Sequence, residues 1–140
     1  MSTPDQPPIG FSICYPDEPF EMHSGPFYIK ESETGIVGGF RAKNCHTNVT
    51  GTVHGGALTT FADAILPIYA LREIDTTIHW LATITLNTEF ISPVFPGDWV
   101  ECCGSLLKKT RSLAFVSGQI YTREHIAINC STVLKIISRQ

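Results

Sequence analysis

Charge is in short supply in this 140-residue chain: Asp, Glu, Lys and Arg make up 16% of it, against about 25% in an ordinary soluble domain. Apolar residues make up 43%. So little charge leaves part of a lone copy uncovered, which favours self-association. A basic stripe is also missing. The Lys and Arg are scattered and the formal net charge is −3, so the clustered cations that neutralise nucleic-acid phosphates are not there, and no nucleic-acid partner is expected. No run reaches the ~18 uninterrupted apolar residues of a membrane span, and Met1 to Pro8 has neither a basic nor an apolar leader region. A soluble, unexported, cytoplasmic protein with no membrane partner is the expectation. Paired CxxC units are absent as well. The five cysteines (Cys14, Cys45, Cys102, Cys103, Cys130) are odd in number and irregularly spaced, as expected for reduced thiols. Cys45, His46 and His54 fit no standard zinc spacing, so no metal site is expected.

What is present fits one domain, in which roughly 70% of the unfolded surface can be buried. Residues 1–26 are rich in proline and polar groups and read as an N-terminal extension, with a short apolar patch at Ile9 to Tyr15 that suits one helical turn. The domain proper is expected over 27–140. Phe27 to Ser32 and Ile36 to Ala42 are β-prone, and Glu33-Thr34-Gly35 between them makes a hairpin. Four further β-runs follow later: Leu81 to Ile91, Trp99 to Leu107, Leu113 to Thr122 and Ile126 to Ile137. In the first, Ala82, Ile84, Leu86 and Phe90 alternate with polar residues, the two-residue period of a half-buried strand. Cys102 and Cys103 adjoin on a strand, so their thiols should face opposite sides.

Between the hairpin and these runs lies the stretch that organises the rest. A polar turn, Asn48 to Thr52, passes through His54-Gly55-Gly56 into Ala57 to Leu71, which is apolar around nearly its whole circumference. Such a helix is surrounded by protein rather than laid on a surface. Its polar strip is Thr59, Thr60 and Asp63, at spacings that put them on one side. Two glycines at a helix start let the backbone approach a ligand and leave first-turn amides free for an anion or oxyanion. An acid inside an apolar helix needs a partner or a task. Pro67 cannot donate to the carbonyl of Asp63, so a kink is expected there. An antiparallel sheet curled around one long helix, an α+β architecture, satisfies this order of elements, with dimerisation covering what the sheet leaves open.

Three segments carry a resemblance. They are Asn48-x-x-Gly51-x-x-His54-Gly55-Gly56 with Asp63 seven residues on; Thr83 to Pro93 followed by Gly97-Asp98; and Thr110 to Phe115. Together with the element order they resemble the hotdog-fold acyl-CoA thioesterases of the phenylacetate-degradation (PaaI-like) type over about residues 27 to 137. The resemblance implies one long central helix wrapped by a five- to six-stranded antiparallel sheet, and a homodimer or dimer of dimers. It further implies hydrolysis of an acyl-CoA at sites shared by two subunits, with no cofactor beyond the CoA of the substrate. By matching positions, Gly55 polarises the thioester carbonyl, Asn48 assists it, Asp63 is nucleophile or general base, Thr83 positions water or the acid, and His54 sits beside the thioester. Gly56, Thr60, Lys109 and Arg111 are the candidate substrate-binding residues, the last two, with Lys108, for CoA phosphates.

The residues also admit other readings. Asp63 suits a buried acid bonded to Thr59, Thr60 or the backbone, His54 a helix cap, Asn48 a loop former, Thr83 an ordinary β-former, and the Lys and Arg a solvated hairpin turn. A non-catalytic acyl-CoA-binding module and an acyl-thioester hydratase or dehydratase are the alternative functions. Ile65, Leu66 and Pro67 depart from the family pattern after the acid, which bears on the acyl pocket and the tilt of Asp63. Gly55 and Asp63 are eight residues apart, so they stand roughly 12 Å apart along one helix. A two-fold axis that sets two helices antiparallel brings the acid of one subunit to the glycines of the other. Phe40, Phe61, Trp80 and Phe90 are the aromatic candidates for the acyl pocket.

Overall fold

The computed structural model describes residues 6–140; residues 1–5 of the expected N-terminal extension lie outside them. In chain order the elements are β1 (Ser12–Cys14), α1 (Pro19–Ser24), β2 (Phe27–Ser32), β3 (Gly35–Arg41), a 3-10 turn (Asn44–His46), α2 (Gly55–Leu71), β4 (His79–Phe90), β5 (Trp99–Lys109), β6 (Leu113–Tyr121) and β7 (Ile126–Ser138). The strands form one antiparallel sheet in the order β1-β2-β3-β5-β6-β7-β4.

The hairpin expected around Glu33-Thr34 is β2–β3, with Ser32 opposite Gly35; Gly35 takes φ +129°, which a side chain resists. The meander is β5–β6–β7, its first turn closed by Thr110, whose hydroxyl oxygen accepts from the Leu113 amide at 2.9 Å. The connection through α2 carries the chain from β3 to the far edge of the sheet, where β4 pairs with β7 alone. The sheet thus curls around α2, as the apolar circumference of that helix requires.

Three glycines set how closely helix and sheet approach. A Cβ at Gly38 would lie 2.6 Å from the Ile65 side chain, and one at Gly104 or Gly118 would lie 3.1 or 2.8 Å from Leu66. Ile65 and Leu66 are fully buried in the hollows these glycines leave. The two bulky residues after the acid therefore pack against the sheet. Phe40 and Phe61 are likewise fully buried, with ring centroids 5.4 Å apart, so both belong to the core rather than to an acyl pocket.

The structure departs from the sequence reading in four places. The patch at Ile9 to Tyr15 is no helical turn: Ser12–Cys14 pairs with Phe27–Ile29 as an added edge strand, and the short helix comes later, at Pro19–Ser24. With β1 the sheet has seven strands rather than five or six. Helix α2 starts at Gly55, two residues early, because His54 caps it. In β4 the alternation is interrupted by a bulge between Thr83 and Thr85, which leaves Ile84 53% exposed. Cys102 and Cys103 do face opposite sides: Cys102 is buried, and the half-buried Cys103 thiol lies 3.0 Å from the Tyr121 hydroxyl. All five cysteines are free thiols. No helix among the described residues is long and apolar enough to cross a membrane.

Candidate active site

The site combines a helix start that has one open amide with an exposed acid two turns further on. At the start, His54 is the N-cap of α2. Its Nδ1 accepts from the Gly56 amide at 2.8 Å, which puts the ring hydrogen on Nε2. The Ala57 and Leu58 amides both point to the His54 carbonyl. The Gly55 amide has no hydrogen-bond partner among the described residues, so it is the one open donor of the first turn. Gly56 therefore has its amide committed to the cap, while Gly55 does not.

The Phe90 ring covers Gly55: a Cβ there would lie 3.1 Å from the ring. Phe90, at 56% exposed, forms an open pocket of about 300 Å³ with Val53, Gly55, Leu58 and the strand exit Ile91 to Val94. Of the aromatic candidates, Phe90 alone lies against the helix start. Trp80, 44% exposed, stands elsewhere on β4.

Asp63 is exposed, on the side of α2 opposite buried Ile65. The Thr83 hydroxyl donates to its Oδ1 at 2.8 Å. The pair joins α2 to β4, and β4 is the outermost strand, so the carboxylate stands at the open edge of the sheet. Asp63 is thus neither a buried acid nor bonded to Thr59 or Thr60. The Thr60 hydroxyl instead donates back to the Gly56 carbonyl at 2.8 Å.

Asn48 closes the polar turn. Its Oδ1 accepts from the Thr50 amide and hydroxyl at 3.0 and 2.7 Å, and its Nδ2 donates to the Thr52 hydroxyl at 3.0 Å. The turn is further held by Asn48 N–H to the Thr52 carbonyl and by Gly51 at φ +84°. Lys109 donates to the Glu73 carbonyl at 3.2 Å, beyond the C-terminal end of α2, and Arg111 is exposed in the adjoining hairpin turn. The structure therefore brings Asp63 to Thr83, and His54 to Gly55 and Gly56. Within one chain it does not bring Lys109 or Arg111 to Gly55, which lie toward opposite ends of a helix about 25 Å long.

Two residues that sequence reasoning did not place in the site support it from beneath. Buried His46 has both ring nitrogens engaged by the backbone: Nδ1 accepts from the Lys43 amide at 3.0 Å, and Nε2 donates to the Ser24 carbonyl at 2.7 Å. Its carbonyl accepts from the His54 amide at 2.7 Å, so it ties α1 to the entrance of α2 and is not free to ligate a metal. Desolvation holds the imidazole below its ordinary range, opposed by the Ser24 bond and reinforced by the charge of Lys43. Tyr15, the second, reaches α2 beside the acid, its hydroxyl donating to the Ala64 carbonyl at 2.9 Å. The Cys45–His46 pairing drew attention to residue 46 as a ligand type, but nothing in the sequence pointed to its partner, Ser24, 22 residues earlier.

One long helix wrapped by a single antiparallel sheet is the hotdog arrangement. The profile of the Thioesterase superfamily matches residues 50–128, and the chain belongs to that family. A candidate esterase of Pseudomonas aeruginosa is 28% identical over 130 residues, covering 92% of this chain and 96% of that protein. Among solved structures, a variant of the phenylacetic acid degradation protein PaaI from Thermus thermophilus superposes with a TM-score of 0.73 at 16% identity, covering 84% of this chain and 98% of that one. A Bacillus halodurans protein solved with CoA superposes with a TM-score of 0.73 at 18% identity, covering 80% of this chain and 74% of that one. The fold expected from the sequence is the fold these structures share.

Proposed function

We propose that the protein is an acyl-CoA thioesterase whose reaction centres are each completed by two subunits. The observation that carries this reading is the Asp63–Thr83 pair, an exposed carboxylate fixed at 2.8 Å on the same helix as the open Gly55 amide. Along α2 the two groups are roughly 12 Å apart, too far to act on one carbon. Strand β4 is the longer unpaired edge of the sheet, 12 residues against three in β1, and carries exposed Trp80, Ile84 and Phe90. An edge of that length and apolarity suits pairing with a second copy of itself. Edge-to-edge pairing sets the two helices antiparallel, with Asp63 of one subunit facing the helix start of the other. The superfamily and the CoA held by the Bacillus halodurans relative support the substrate class.

In this reading the thioester carbonyl oxygen accepts from the Gly55 N–H, a fixed donor of a kind that contributes about 3–4 kcal/mol to an oxyanion. Asp63 either attacks the carbonyl carbon or removes a proton from the attacking water, and Thr83 holds the carboxylate in the required direction. In the general-base route the C–S bond breaks, the thiolate takes the proton that Asp63 removed from water, and free acid and CoA leave. In the nucleophilic route loss of the thiolate leaves an acyl–Asp63 anhydride, which water hydrolyses to free acid, freeing Asp63 and giving the thiolate its proton. His54 shapes the helix start, Asn48 the turn before it, and the 300 Å³ pocket under Phe90 receives one side of the acyl or pantetheine arm. Lys109 and Arg111, past the C-terminal end of α2, are the candidates to meet the CoA phosphates in this reading.

Turnover across short, medium, long and aryl acyl-CoAs, read by thiol release, tests the reaction. Mixing tests the shared centre. Proline at a first helical position removes the amide hydrogen while keeping the helix, and His54 already has the extended backbone that a following proline prefers. Gly55→Pro and Asp63→Asn are each expected to be inactive alone. Co-expressed, they should recover about a quarter of wild-type activity, since half the dimers carry one intact centre of two. No recovery in mixed dimers would sink the shared centre, and no thiol release from any acyl-CoA would sink the reaction.

A further inference from the structure

Pro67 has no amide to give the Asp63 carbonyl, so the helix is short of a hydrogen bond in the turn that carries the acid. The next carbonyl, Ala64, accepts from the Tyr15 hydroxyl at 2.9 Å. Tyr15 comes from outside the segment matched by the superfamily profile, at the end of β1. It is the only non-glycine among the described residues with a left-handed backbone, φ +56°. That conformation is unfavourable for a side-chain-bearing residue and persists only where the surroundings hold it. Here β1 pairs Cys14 with Phe27, the Glu18 amide donates back to the Tyr15 carbonyl at 3.1 Å, and the ring packs against the core cluster. The strand and the turn after it therefore deliver one phenol to one carbonyl.

We infer that Tyr15 is a positioning residue for Asp63, securing the backbone of the turn that proline weakens and so fixing the direction in which the carboxylate leaves the helix. The acid is then held twice, by Thr83 at its side chain and by Tyr15 at its backbone. Burial, with Cys14, Glu21, Glu18 and Asp63 nearby, pushes the phenol well above its ordinary range, so it stays a neutral donor at any working pH. The inference rests on the thioesterase reading.

The test is a double-mutant cycle between Tyr15→Phe and Pro67→Ala, since alanine returns the amide at position 67 and removes the need for the brace. With any acyl-CoA the wild type turns over, Tyr15→Phe should lower kcat about fivefold and leave KM within about twofold, as loss of one hydrogen bond acting on the acid requires. In the Pro67→Ala background the same change should alter kcat by less than about twofold. Hydrogen exchange of residues 64–69, which needs no turnover, should rise on Tyr15→Phe only when Pro67 is present. An unchanged kcat, an equal loss in both backgrounds, a loss taken in KM, or exchange that does not respond overturns the inference. If Asp63→Asn abolishes turnover while Tyr15→Phe is silent, the positioning role alone fails; if the wild type releases no thiol, both readings fall together.

Discussion

The two faces of α2 are made of the same seventeen-residue helix and do opposite things. Toward the sheet, Ile65 is fully buried in the hollow left by Gly38. Away from it, two residues earlier in sequence, Asp63 is exposed at the open edge and held by one threonine. The first face is fixed by shape and loses stability when altered; the second is fixed by a hydrogen bond and should lose rate without losing stability. A residue's distance along the chain from the acid therefore says less about its role than the side of the helix it occupies.

The sharpest way to break that contrast is at the acid itself. Asp63→Asn should lower kcat about a thousandfold, the scale of losing a positioned base, with the melting temperature unchanged, measured by thiol release and thermal unfolding. Ile65→Ala on the other face should cost about 2–5 kcal/mol of stability in denaturant unfolding, while kcat per folded molecule stays near wild type. A large kcat loss in that variant, with the fold intact, would erase the distinction between the faces. Thr83→Val keeps the β-branched shape and removes the donor to Asp63; about tenfold in kcat with stability within about 1 kcal/mol is expected.

The smallest effect concerns the brace under the helix start. His46 is held neutral by burial, so its folded pKa lies below the unfolded value of about 6.5. The unfolded chain then binds the extra proton first. The stability His46 contributes is complete above about pH 6.5 and is lost as pH falls from there toward the lowered folded value. Melting temperature should drop between pH 7.5 and pH 5, and His46→Gln should flatten the drop; an identical drop in the variant would assign it to other groups.

Much of this was legible in advance because the signals were periodic. The hairpin, the long helix and the three-strand meander follow from two-residue and all-round apolar patterns, and their ends fall within a few residues of the observed ones. Asp63 stood out as the acid of an apolar helix, its role and that of Thr83 came from a resemblance, and the 2.8 Å contact between them joins positions that no local pattern links. Strand β1 escaped because three residues in a proline-rich segment are too few to show a period. The bulge at Ile84 escaped because its cause is pairing with β7 across the sheet, not the local sequence. Tyr15 escaped for the same reason, since its partner carbonyl lies 49 positions away.

Gly38, Gly104 and Gly118 determine the depth at which the helix settles, and depth decides where the carboxylate stands relative to the sheet's rim. A single methyl group added at Gly38 would collide with Ile65 and push the whole rod outward, carrying Asp63 with it. The alignment of the reacting groups is thus stored in three side chains that the protein does without.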